Sequence, residues 1–456
     1  MTDNSNIKST VAQDEINICI LGMGYVGLTS GAVFAKNGYT TICTDTIASK
    51  VEDLNNGITP FFEPGLDEIV TEVLQQGTLK ASTNNIEAIK KSNITLICVG
   101  TPSLPDGSAN LTYVEAATKD IGTALKEIDN YHVVVVKSTV VPGTTEETVL
   151  PLLQEYSGKT VGEDFGLCMN PEFLRQGSAV HDTINPDRII IGQFDQRSGD
   201  MLERLYHFYN CPKLHCDIKA AELIKYAANA LLATKISFAN EFSRICEKFN
   251  IDVYEVMKGV GLDFRINPQF LNAGCGFGGS CFPKDVKAIV ALAKKINVET
   301  PILDSVLHTN ELQPMHLIDI IRTATGGIKD KTFSFLGLSF KPDTDDTRET
   351  RALPIIQKLY AEGGRIKAYD PKAYDKFKSL TELPIEYTLS IEEALTDTDA
   401  CIIQSDWQQF KKLKPEDFTR LMKTPIIIDG RRTFEAPEEF KKHGIKYYGI
   451  GWKNKD

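Results

Sequence analysis

No run in this 456-residue chain approaches the roughly 18–20 unbroken apolar residues that a membrane helix needs. Residues 1–14 are polar and lack the apolar core of a signal peptide. They are expected to form a short disordered leader, and the chain to reside in the cytoplasm. No Lys/Arg-rich block occurs, and the formal net charge is −11, so the basic stripe of a duplex-binding protein is missing. Nucleic acid is therefore not an expected partner. Anionic small molecules stay open, because a few focused amides and cations suffice to hold a phosphate. There is no C-x-x-C pair, no clear metal-ligand spacing and no short-period repeat, so neither a bound metal nor a repeat architecture is expected.

What is present suits a soluble globular protein: 42% hydrophobic and 24% charged residues. The length calls for two or three domains. The ten cysteines are scattered. Several sit in strand-like apolar runs (ICI, TICTD, LICVG, ACII), where a thiol behaves as a small hydrophobe.

From Asn17 to Asp45 the order is strand, glycine-rich turn, helix, strand, and further apolar strands follow at 94–100, 132–139 and 165–170. Such alternation predicts a parallel sheet covered on both faces, with RIIIG (188–192) as its last, weak strand. From about Cys216 the strand pattern stops, and 217–261 and 283–324 have helical character around a Gly- and Cys-rich insert. Strand–helix alternation restarts at Lys331 without a three-glycine turn. The expected fold is α/β, with two Rossmann-like doubly wound domains joined by a central helical region. The boundaries are placed at 1–214, 215–324 and 325–456.

GMGYVG supplies G-x-G-x-x-G directly after a strand: Gly22 for the turn, Gly24 for close approach of a pyrophosphate, Gly27 for helix packing, with Tyr25 and Val26 between them. Asp45 ends the second strand, where a carboxylate accepts from ribose hydroxyls and disfavours a 2′-phosphate. The cofactor is therefore expected to be NAD. Thr101, Ser138 and Thr139 follow strands at the ligand-binding edge, although helix capping accounts for Ser138 equally well. Lys225 and Asn229 lie four apart on one helical face; the plain alternative for Lys225 is an exposed lysine covering its neighbours. GCGFGGSCFPKD (274–285) is the most specific string. Its four glycines imply backbone held close to a ligand. Pro283 suits a first helical turn, which puts Cys281 at a helix N-terminus, where a thiolate is stabilised, and Asp285 in that same turn.

A dinucleotide turn together with a nucleophilic cysteine suggests oxidation through a thiohemiacetal to a thioester. GMGYVG, EPGL (63–66), STVVPGT, NPEFL (170–174), ELIKYAANA, GFGGSCFPKD and GLSFKPDTDDTR (337–348) together resemble the UDP-glucose/GDP-mannose dehydrogenase family over about residues 15–450. FRINPQFLNAGCGFGGSCFPKD looks like its UDP-glucose branch.

The resemblance implies two successive NAD-dependent oxidations at C6 of UDP-glucose. It assigns Cys281 as nucleophile and Lys225 as oxyanion stabiliser. Asp285 and Thr139 are assigned to a catalytic water with Asn229 beside them, and Glu172 to thioester hydrolysis. It implies substrate contacts from Phe173, Leu174, Arg175, Phe270, Asn272, Gly276, Phe277 and Gly278, and from Phe340, Lys341 and Arg431 in the last domain. Arg265 is expected to enter a partner subunit's site in a homodimer or larger homo-oligomer, and Arg348 to contact cofactor phosphate. Two departures from the family pattern touch the cofactor: Gln176 replaces an acid, and Lys50 stands where arginine is common. Other nucleotide sugars (GDP-mannose or a UDP-N-acetylhexosamine), and a two-electron 6-phosphogluconate or hydroxyacid type of dehydrogenase, are the alternatives.

Overall fold

A computed structural model describes residues 16–452, so the leader expected over 1–14 lies outside the described residues. The chain parts between Tyr226 and Ala227 into two compact units, and this boundary falls inside one long helix, Ile218–Phe249.

The first unit is built on β1 (Asn17–Leu21), β2 (Thr40–Thr44), β3 (Leu79–Ser82), β4 (Ile94–Ile97), β5 (His132–Val136), β6 (Phe165–Met169), β7 (Ile189–Gln193) and β8 (Lys213–Cys216). They lie in the order β3-β2-β1-β4-β5-β6-β7-β8. Successive strand residues point to opposite faces. Ile18, Ile20, Leu96, Val133 and Val135 accordingly enter one core, and Cys19, Leu21, Ile97, Val134 and Val136 the other. Burial on both faces is why these strands are unbroken apolar runs.

Two expectations fail at one edge. The sheet is not wholly parallel, because β7 runs antiparallel to β6 with Cys168 opposite Gln193. Between them the chain forms the NPEFL turn and a short helix, Ala179–Ile184, and re-enters the sheet from the end it left. Nor is RIIIG the last strand: β8 pairs parallel with β7. Its Leu214 is exposed, so the segment lacks a buried-strand pattern.

The second unit contains helices Val253–Gly261, Phe282–Lys295 and Pro301–Thr325, followed by β9 (Thr332–Leu336), β10 (Arg365–Tyr369), β11 (Glu386–Tyr387), β12 (Ala400–Ile403), β13 (Ile426–Asp429) and β14 (Lys446–Gly449). Every pairing in the order β11-β10-β9-β12-β13-β14 is parallel. One core joins Ala239, Met257, Leu317 and Ile321 of the helices to Phe333, Phe335, Ile402 and Ile428 of the strands. The helical middle therefore covers a face of the second sheet. The first six strands of the first sheet and all six of the second follow the doubly wound order 3-2-1-4-5-6. No helix among the described residues is long and apolar enough to cross a membrane.

Candidate active site

In the first unit, Gly22 ends β1 with φ +105°, and a Cβ there would press on the Cys98 carbonyl. A Cβ on Gly27 would overlap the Gly22 carbonyl oxygen, so only glycine lets helix Tyr25–Lys36 start this close to the strand. Above Gly24, by contrast, a Cβ would meet nothing within 4 Å. Gly24 is the helix N-cap and supplies no side-chain cap. Tyr25 stacks on Phe61 at 4.1 Å, and Val26 packs at the edge of the core.

Asp45 accepts from the amides of Ile47 at 3.0 Å and Met23 at 3.3 Å, with the Lys50 ammonium 3.7 Å away. Gly22, Gly24, Asp45 and Lys50 line one groove. Ser138 caps no helix: its hydroxyl donates to the carbonyls of Val99 (2.7 Å) and Ile97 (3.2 Å). Thr101 donates to the Thr139 carbonyl at 2.8 Å. Gln176 keeps a buried amide oxygen with no hydrogen-bond donor.

Also in this unit, Lys225 is buried and donates to Glu172 at 2.9 Å, which removes the exposed-lysine alternative. Burial alone would raise the Glu172 pKa. The Lys225 ammonium, the Leu174 amide at 2.6 Å and the Lys137 charge together hold it below the usual carboxylate range. The Phe173 ring has two cations near it, the Arg188 guanidinium carbon at 3.7 Å and the Lys225 ammonium at 5.5 Å from its centroid. Arg175 is largely exposed and forks onto Asp182.

Several supporting groups escaped the sequence reading. Glu222, one turn before Lys225, accepts from the Gly143 and Thr145 amides at 2.6 and 2.8 Å and so anchors the STVVPGT loop. Glu63 of EPGL accepts from the Gly177 and Ala179 amides. Lys137, Asn170 and Tyr206 form a buried cluster beside Glu172. None of these groups has a local signal in the sequence, because each acts on partners far along the chain.

In the second unit, Cys281 is the N-cap of helix Phe282–Lys295, with Pro283 in the first turn. Its thiol is partly exposed, whereas seven of the other cysteines are buried. Cys98 and Cys168 show what burial does to a thiol, each pushed up to about 12. Cys281 differs from these in its place, at a helix N-terminus. Asp285 is 1% exposed and accepts from the Asn229 amide at 2.6 Å and the Lys284 ammonium at 2.5 Å. Buried and doubly held, it has a fixed orientation.

The glycines before Cys281 have protein neighbours, a different reason from the expected close approach of ligand. A Cβ on Gly276 would strike the Asn310 side chain, on Gly278 the Glu349 carbonyl, and on Gly279 the Phe340 ring. Asn310 clasps Phe277, accepting from its amide at 2.7 Å and donating to its carbonyl at 3.0 Å. The Phe277 ring packs with Ala230, Ala233, Val286 and Val306. Phe270 adopts φ +67°, with its ring 6.1 Å from Phe282, and Asn272 is exposed.

Arg431, expected as a substrate contact, donates to the carbonyls of Gln404 at 2.8 Å and Phe340 at 3.4 Å, so it braces the loop that carries Phe340 and Lys341. The Lys341 ammonium lies 5.7 Å over Phe340. Arg348 forks onto Asp346, and the exposed Arg265 onto Asp263.

Comparison with known proteins bears on the whole chain. The NAD binding domain of the UDP-glucose/GDP-mannose dehydrogenase family matches residues 16–210, its central domain 219–312, and its UDP binding domain 334–436. The UDP-glucose 6-dehydrogenase TuaD of Bacillus subtilis is 43% identical over 95% of this chain and 93% of its own length. The UDP-glucose 6-dehydrogenase AglM of Haloferax volcanii is 40% identical over 95% of this chain and all of its own. The solved structure of a UDP-glucose dehydrogenase from Pyrobaculum islandicum superposes with a TM-score of 0.90 at 37% identity, covering 98% of this chain and 100% of that one.

Proposed function

Because this chain belongs to the UDP-glucose/GDP-mannose dehydrogenase family, we propose that it oxidises UDP-glucose at C6 to UDP-glucuronate through a thioester on Cys281. The observation that carries the reading is a partly exposed cysteine capping a helix whose first turn holds a buried, doubly clamped aspartate. NAD supplies the hydride acceptor for both oxidations. The open space over Gly24, the uncapped helix amides, Asp45 and the undonated Gln176 oxygen fit that cofactor. Lys50, in the groove with Asp45, is assigned to the adenosine end, and Arg348 to a cofactor phosphate.

In this reading the first oxidation yields an aldehyde. The Cys281 thiolate forms a C–S bond to the aldehyde carbon, and Lys225 stabilises the oxyanion so created. Loss of the second hydride from the same carbon leaves a thioester. Water adds to that carbon, the C–S bond breaks, and the thiolate is regained with the acid as product. Asp285, held by Asn229, orients the water with Thr139, and Glu172 takes up its proton. Sugar-nucleotide contacts are assigned to Phe173, Leu174 and Arg175 in the first unit, and to Phe270, Asn272, Gly276, Phe277, Gly278, Phe340, Lys341 and Arg431 in the second.

Arg265 acts in a partner subunit. Its neighbours Leu262 and Phe264, 80% and 91% exposed, support a covered face.

The test is turnover on a panel of UDP- and GDP-sugars. Two NADH and one acid are expected per UDP-glucose consumed; one NADH with accumulating aldehyde overturns the thioester route. Cys281→Ser is expected to lose at least ~1000-fold in turnover while binding NAD normally; a serine variant at full rate would remove Cys281 from the chemistry.

A further inference from the structure

Lys137 stands at the end of β5 with only 7% of its surface exposed. Its ammonium donates to Asn170 Oδ1 at 2.8 Å and to the Tyr206 hydroxyl at 3.4 Å, both neutral. A buried ammonium without a carboxylate in contact is costly, and an apolar side chain of similar length fills such a space without that cost. The charge thus calls for a counter-charge nearby. Cys98 is close, but burial pushes its thiol up to about 12, so it stays neutral at physiological pH. Three carboxylates line the same cavity as Lys137, Asn170 and Tyr206, namely Glu172, Asp182 and Asp187. Asp182 is taken by the Arg175 fork, and of the three it is Glu172 whose charge bears on Lys137.

Glu172 therefore has two ammoniums around it. Lys225, from helix Ile218–Phe249, touches it directly; Lys137, the residue after β5, acts on it without a hydrogen bond. Asn170 fixes the geometry. It accepts from Lys137 and from the Tyr206 hydroxyl at 2.5 Å, donates to the Ile190 carbonyl at 2.7 Å, and begins the NPEFL segment that ends in the Leu174 amide on Glu172. Burial above all lowers the Lys137 pKa, and the Lys225 charge adds to that, while the Glu172 carboxylate acts in the opposite direction.

Resting on the reading above, we propose that Lys137 is a positioning residue whose fixed charge keeps Glu172 ionised when Lys225 turns from Glu172 to the substrate oxygen. With Lys225 as its only cation, Glu172 would lose its counter-charge at the moment the oxyanion forms, and would take a proton before water had to be activated. Lys137 separates the two tasks: Lys225 is free to follow the substrate because another cation stays with Glu172.

The infrared carboxylate stretch of Glu172, isolated as the difference between the unaltered protein and Glu172→Gln, is followed across pH without substrate. Lys137→Gln keeps a hydrogen-bond donor for Asn170 and removes the charge. It is expected to raise the proton affinity of Glu172 about tenfold and to move the acid limb of kcat by the same amount, with KM for UDP-glucose within about twofold. Lys137→Arg restores the original midpoint. Lys137→Met is the second charge-free variant should the glutamine fold poorly. An unmoved midpoint in the charge-free variants overturns the proposal, as does an Arg variant that shifts as far as Gln, since the bonds to Asn170 would then matter more than the charge. Failure of the unaltered protein to reduce NAD with UDP-glucose would fail the functional reading alone, because the infrared titration needs no turnover.

Discussion

The two sheets share their strand order, and in each the first strand ends on a left-handed glycine faced by an aspartate from the end of the second strand. In the first sheet the pair is Gly22 and Asp45; in the second it is Gly337, φ +96°, and Asp370. Their uses differ. Asp370 is 7% exposed and accepts from the Leu338 and Ser339 amides, the Ser339 hydroxyl, and the Lys372 and Ala373 amides. Its bonding capacity is consumed by the fold. Asp45 holds the Met23 amide by a longer 3.3 Å bond, accepts from Ile47, and keeps an outer side towards the groove. In the first sheet the helix follows at Tyr25, which puts its amides at the ligand edge. In the second it begins only at Ala352, and the intervening loop holds Phe340 and Arg348. One backbone solution thus serves as a ligand cradle where the aspartate has bonds to spare, and as a loop anchor where it has none.

The largest effect expected is at Gly27. Gly27→Val would drive a side chain into the Gly22 carbonyl and should cost upward of about 4 kcal/mol, with loss of NAD binding. A variant that melted normally and bound NAD would break the comparison at its starting point. Next comes Asp370→Ala, which strands buried amides and should lower stability by about 3 kcal/mol in denaturant titration while NAD affinity holds. The smallest effect on stability is expected from Asp45→Ala, within about 1 kcal/mol, paired with roughly tenfold weaker NAD binding and a gain for NADP. Equal stability losses at Asp45 and Asp370 would show that the first acid is as structural as the second.

The same contrast explains what could be read from the residues alone. Central strands were legible because burial on both faces demands apolar runs such as HVVVV and PIIID. The edge strands LKAS, KLHC, EY and KYYG were not, being short and half polar. The reversal of β7 was invisible because periodicity reports burial and says nothing of direction. At the site, the glycine turn and the segment around Cys281 are local patterns, legible without the fold. Lys137, Asn310 and Glu222 matter through partners 33, 33 and 79 residues away, and only the folded chain brings them together.

The glycine loop before Cys281 has a consequence for the order of synthesis. Its shape depends on Asn310, then on Phe340 and Glu349, and finally on Gly430, whose carbonyl receives the Cys275 amide at 3.1 Å. A ribosome that has released the chain only as far as Thr325 has delivered Cys281 without the later residues that shape the loop before it. The loop is made early and finished late, so in a chain ending anywhere short of β13 the segment before Cys281 should lack its final form.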